Sequence, residues 1–118
     1  MSRPTTATID LGALRYNLQR ARAAAPRARI AAAVKADGYG HGLLRVARAL
    51  EGADALAVAC IEEALTLREG GITGPILLLE GVFEASELPL CARWGLDIAL
   101  HHPCQLEMLE QDPPPAPL

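Results

Sequence analysis

At 118 residues the chain has room for one domain with a modest core, and its 51% apolar and 21% charged residues are those of a soluble globular protein, not a disordered one. A formal charge of −3 and a pI near 5.5 leave no basic surface for nucleic acid or an anionic membrane, which points to small-molecule partners. No uninterrupted apolar run approaches the roughly 18 residues of a membrane span, and the opening Met-Ser-Arg-Pro-Thr-Thr has no apolar leader stretch, so the expected compartment is the cytoplasm.

Residues 5–9 alternate small and β-branched side chains and predict a short strand, with Asp10 placed to cap the helix that follows. Leu11, Leu14, Leu18 and Ala21 recur at spacings of three and four, one apolar stripe with Arg15, Gln19 and Arg22 off it, and Pro26 ends the helix. A buried strand is predicted over 30–34, then a glycine-rich turn, a helix over 43–50 and a break at Gly52. The pattern repeats with a strand over 55–60 and a helix over 61–69 closed by Gly70 and Gly71. A third strand covers 76–79, a helix 86–94 carries Pro89 in its first turn, and a fourth strand covers 96–100. Pro103 starts a last helix through Glu110, with Leu106 and Leu109 expected on its buried side.

Strand-then-helix units thus begin near residues 30, 55, 76 and 96. Continuous apolar strands, each followed by an amphipathic helix, imply parallel strands covered by helices, so the fold class is α/β. Periodicity does not separate an open sheet from a closed barrel, but four such βα units equal the first half of a (β/α)8 TIM-type barrel, whose eight units take about 250 residues. Residues 112–118 include three consecutive prolines, which cannot donate to a sheet ladder and prefer an extended polyproline form. The expected division is a barrel portion over 1–111 and a disordered tail over 112–118.

Cys60, Cys91 and Cys104 lack the Cys-x-x-Cys spacing of a zinc or redox site and read as free thiols of a reducing compartment. His101, His102 and Cys104 lie close together, but ligands so near in sequence rarely share one tetrahedral site without others elsewhere, and no metal is expected. Lys35, the only lysine in the chain, is delivered by the apolar run 30–34 to a strand end before Gly38, Gly40 and Gly42. There, partly desolvated, an amine can lose its proton and attack a carbonyl, as Schiff-base lysines do. Strand-end lysines are also ordinary surface residues, so the local pattern leaves both roles open. Strand, glycines, helix and then Glu62 imitate a dinucleotide fingerprint, yet the third glycine would fall at Leu43 and Lys35 would have no role in that fold.

The run Val34-Lys35-Ala36-Asp37-Gly38-Tyr39-Gly40-His41-Gly42 closely resembles the pyridoxal-phosphate attachment site of alanine racemases. Arg3-Pro4-Thr5, Ile9-Asp10-Leu11, Val58-Ala59-Cys60-Ile61-Glu62-Glu63-Ala64-Leu65 and Pro75-Ile76-Leu77-Leu78-Leu79-Glu80-Gly81 extend the resemblance over nearly the whole chain. It implies a (β/α)8 barrel followed by a separate, mostly β domain, of which this chain covers the first portion. It also implies pyridoxal 5'-phosphate as cofactor, alanine as substrate and a homodimer. By resemblance, Lys35 holds the cofactor as an imine and then serves as the base on one face of the α-carbon. Tyr39 binds the phosphate through its hydroxyl, and Leu79 lines the cofactor ring. His41 is read as support for the loop.

The family's ring-stacking histidine, its arginine facing the pyridine nitrogen and its second base, a tyrosine from the partner's β domain, have no counterparts in residues 1–118. The chain alone is therefore expected to be an inactive portion able to self-associate through its strand edges, whether from a truncated gene product, a frameshift or an incomplete record. The alternatives are a non-catalytic half-barrel or a member of the single-barrel family of pyridoxal-phosphate carriers.

Overall fold

Residues 3–118 are described by a computed structural model. Helix α1 (Leu11–Ala24) starts where expected, because Asp10 is its cap and accepts the Ala13 N–H at 3.0 Å. No residue of α1 is fully buried. Leu11, Leu14 and Leu18 are half-buried, and the stripe continues through Arg22 instead of the exposed Ala21. Arg22 earns that place through polar contacts, bonding the Gly52 carbonyl and pairing with Asp54 at 3.3 Å. Residues 5–9 form no strand, contrary to expectation; no described strand lies alongside to complete their backbone hydrogen bonds.

Strands β1 (Ala31–Ala33), β2 (Ala55–Val58), β3 (Ile76–Leu78) and β4 (Leu96–Ile98) form one parallel sheet in the order β1-β2-β3-β4. The intervening segments are α2 (Lys35–Tyr39), α3 (Leu43–Ala49), α4 (Ile61–Glu69), a 3-10 turn (Ala85–Glu87) with α5 (Leu88–Trp94), and α6 (Pro103–Gln111). The fold is α/β, built from successive βα units as the sequence predicts.

The register explains which side chains form the core. Ala32, Leu56, Ile76 and Leu96 pair as one row, and Val58, Leu78 and Ile98 as the next, on one face of the sheet. Against that face pack Leu43, Val46 and Ala47 of α3, Ile61, Ala64 and Leu67 of α4, and Leu88 and Cys91 of α5. The other face carries the row Ala33, Ala57, Leu77 and Asp97, exposed at both ends. The expectation of a buried first strand is corrected here: Ala31 and Ala33 are exposed, because β1 is an edge strand with only one face covered. In α6, Leu109 packs half-buried against the core as expected, but Leu106 is 50% exposed and Gln105, 4% exposed, takes the inward place. Gln105 turns inward because its amide has four backbone partners there.

At the amino-terminal end of the sheet Arg68, near the end of α4, donates to the carbonyls of Ile72 and Trp94 at 2.9 Å, Gly74 at 2.7 Å and Gly95 at 2.9 Å. Among the described residues no helix is long and apolar enough to cross a membrane.

Candidate functional site

Lys35 stands half-buried at the carboxyl end of β1, and the chain then takes an unusual turn. Ala36, Asp37 and Gly38 have φ of 54, 56 and 62° with ψ of 49, 44 and 38°, and Tyr39 follows with φ 54°. The segment is thus a turn of left-handed helix, which costs L-residues about 1–2 kcal/mol each. The glycines were expected to make the turn, yet it begins at Ala36, two residues before the first of them.

What holds it is local and specific. The Gly38 N–H donates to the Val34 carbonyl at 2.8 Å, and the Gly42 N–H to the Asp37 carbonyl at 2.8 Å. The Asp37 carboxylate accepts the Leu43 N–H at 2.8 Å, joining the turn to the start of α3. His41 donates its Nδ1–H to the Tyr39 carbonyl at 3.0 Å, the loop-supporting place expected of it. Gly38 is buried against Val46, whose Cγ2 would stand 3.0 Å from a Cβ placed there. Residues so strained persist only where their surroundings over-determine them, and they concentrate at functional sites.

The turn puts Tyr39 on the rim, 58% exposed. Leu79, just past β3, is 37% exposed and continues the ladder by donating its N–H to the Val58 carbonyl at 2.9 Å. By strand parity Leu79 belongs to the open face, with Leu77 and Ala33. Two strand spacings, about 10 Å, separate the axes of β1 and β3. An amine, a phenol and an apolar side chain therefore share the open rim at the carboxyl ends of the strands.

Two residues overlooked in the sequence also act here, both at the third position of a helix. Glu63 in α4 accepts the Ala36 N–H at 2.9 Å through Oε1 and the Ala59 N–H at 2.8 Å through Oε2. Gln105 in α6 accepts the His101 N–H at 2.9 Å and donates to the Glu80 carbonyl at 2.8 Å. The signal was an acid or amide three residues after a helix cap, disguised because the caps are Cys60 and His102 instead of serine or threonine.

The histidine and cysteine cluster is accounted for structurally. His101 donates Nε2–H to the Glu80 carbonyl at 2.9 Å, while His102 Nδ1 caps α6 by accepting the Cys104 N–H at 3.2 Å. Among the described residues no group of three or more His, Cys, Asp or Glu is placed to hold a metal ion. Burial pushes the Cys60 thiol up from its ordinary value, and burial pushes Cys91 up to about 11.

A parallel sheet of successive βα units in the order β1-β2-β3-β4, with the chain's lone lysine at the carboxyl end of the first strand, defines an α/β protein of the kind from which βα barrels are built. The family described as "Alanine racemase, N-terminal domain" matches residues 9–116. The alanine racemase of Thioalkalivibrio sulfidiphilus is 51% identical over 120 residues, covering 100% of this chain and 33% of that protein. The biosynthetic alanine racemase of Salmonella typhimurium is 55% identical over 105 residues, covering 89% and 29% respectively. The crystal structure of biosynthetic alanine racemase from Pseudomonas aeruginosa superposes with a TM-score of 0.94 at 43% identity, over 99% of this chain and 33% of that one. The chain belongs to the alanine racemase family, and its four βα units correspond to part of that family's N-terminal barrel. It spans about a third of the length of the curated relatives it matches.

The family depends on pyridoxal phosphate, and the donor set on the rim fits such a group. It offers one primary amine, one exposed phenol hydroxyl and one apolar side chain on the open face.

Proposed function

We propose that this chain is the cofactor-bearing portion of an alanine racemase acting in the cytoplasm on L- and D-alanine, with Lys35 as the attachment point. The observation that carries this reading is the lone Lys35 at the carboxyl end of β1, followed at once by a strained left-handed turn that sets Tyr39 on the same rim. In this reading Lys35 holds the cofactor's aldehyde through its amine, Tyr39 donates its hydroxyl to the phosphate, and Leu79 borders the ring. When bound, pyridoxal phosphate supplies the electron sink that makes an amino acid's α-proton removable. Lys35 Nζ, released from the cofactor, accepts that proton on one face.

Inverting the α-carbon also requires a proton delivered on the opposite face. Lys35 reaches only one, so the chain by itself is expected to show negligible racemisation. Within the whole enzyme a second copy completes the site, as a homodimer. A non-catalytic role is favoured by the two unpaired sheet edges, and the same experiment separates it.

Borohydride reduction in the presence of pyridoxal phosphate, followed by peptide mapping, should place the label on Lys35, the only side-chain amine of its kind in the chain. Lys35→Ala should abolish it. A chimera joining residues 1–111 to the remaining domains of a relative should form D-alanine in a coupled assay. A folded chimera without label at Lys35 and without D-alanine would overturn the assignment.

A further inference from the structure

We propose that Glu63 is the positioning residue for Lys35, acting through the peptide that follows it; the inference rests on Lys35 carrying the cofactor. A glutamate at the third position of a helix ordinarily reaches back to the N–H of its own cap residue, here Cys60. Glu63 does not. Its Oε2 takes the N–H of Ala59, one residue earlier, at 2.8 Å, and its Oε1 crosses to the neighbouring unit to take the N–H of Ala36 at 2.9 Å. One carboxylate thus clips the carboxyl end of β1 to that of β2, at the peptide joining Lys35 to Ala36.

That peptide is where the left-handed turn begins, with Ala36 at φ 54° and ψ 49°. Neither Ala36 nor Asp37 has the freedom of glycine at positive φ, so some contact must hold them. The turn's backbone bonds, from Gly38 to the Val34 carbonyl, from Gly40 to those of Ala36 and Asp37 and from Gly42 to that of Asp37, close around the Ala36 N–H without engaging it. Glu63 is the side chain that fixes its first peptide, and hence the direction in which Lys35 leaves the strand.

Glu63→Gln is the near-isosteric test, because an amide can still accept one N–H but presents its own NH2 to the other. Glu63→Ala removes both acceptors. The comparison variant is Arg68→Ala, which releases the opposite end of the same helix. Three quantities are read on the full 118-residue chain: amide hydrogen exchange at Ala36 and Ala59, affinity for pyridoxal phosphate from the change in its visible absorbance, and thermal stability. Wild type should protect the Ala36 amide with no cofactor present, Glu63→Ala should lose protection at both Ala36 and Ala59, and Glu63→Gln should lose it at one of the two. Charge-assisted hydrogen bonds of this kind convert to about tenfold weaker cofactor binding or more. Arg68→Ala should lower stability while leaving affinity within about twofold, a change no larger than distant sites usually show.

An Ala36 amide that exchanges in wild type as fast as an exposed peptide overturns the proposal, whatever the variants do. So does a cofactor affinity in Glu63→Ala equal to wild type, or reduced no more than in Arg68→Ala. Wild type that takes no label at Lys35 overturns the cofactor reading itself, a failure recognisable because the exchange protection at Ala36 would still be seen.

Discussion

Gly38 has φ 62°, and a Cβ placed on it would sit 3.0 Å from Val46 Cγ2. An L-residue there meets both the left-handed penalty and a crowded neighbour, so Gly38→Ala is expected to cost about 2–3 kcal/mol in urea unfolding. Gly40→Ala offers the contrast, since nothing lies within 4 Å of a Cβ there although φ is 85°; its cost should be nearer 1 kcal/mol. The cysteines should divide by burial. Cys104 is exposed and should react with a thiol reagent at neutral pH within seconds to minutes. Cys91 is fully buried and held up to about 11, so it should stay silent until the protein unfolds. Cys60, half-buried and shifted upward, should react between the two. A stoichiometric, rapid modification of Cys91 in the folded chain would contradict this ordering.

Polar clips tie the amino-terminal ends of the βα units together. Arg68 satisfies four carbonyls with a planar fork that lysine cannot reproduce, so both Arg68→Ala and Arg68→Lys are expected to destabilise by about 2–4 kcal/mol, measured by denaturant unfolding. Asp54 ties α1 and β1 to β2. The Ile30 N–H at 2.7 Å and the Arg22 guanidinium beside it hold its carboxyl below the ordinary carboxylate range. A group depressed in the folded state stabilises fully above its unfolded value and loses that contribution as pH falls through the folded one. Asp54→Asn should therefore lower stability at neutral pH and flatten the acid limb of the stability curve below about pH 4. The βα order was legible because apolar runs such as 55–58 and amphipathic spans such as 61–69 carry their own periodicity. Lys35, Tyr39 and Leu79 could be located from a motif and from strand ends. The left-handed turn could not, since Ala36 and Asp37 have no local preference for positive φ and are held by partners outside it. Glu63 and Gln105 were hidden for a related reason: a long polar side chain does not announce that it will cross to a neighbouring unit.

Taken as a body the chain is broad and thin, 54 × 45 × 25 Å with a radius of gyration of 16.3 Å, where a compact domain of this length has about 13.5 Å. Two layers account for the thin axis: a sheet, and helices on one side of it. The uncovered face and the outer strands β1 and β4 should drive concentration-dependent association, visible as a rising mass in light scattering. Ala33 is exposed on the edge strand, so Ala33→Lys should lower that mass without loss of helical signal. A wild-type chain that stays monomeric across a hundredfold range of concentration would refute the expectation.

Helix α4 works as a ruler. Its Glu63 fastens the peptide after Lys35 at one end of the sheet and its Arg68 fastens loop carbonyls at the other, five positions apart. On an α-helix that interval is about 7.5 Å of rise, and each inserted residue swings everything beyond it by about 100°. One insertion or deletion between these two side chains would leave either the lysine's peptide or the far loops unheld. Anyone transplanting this lysine-bearing unit into another barrel would have to carry α4 across whole, since its length is part of the address at which the amine is delivered.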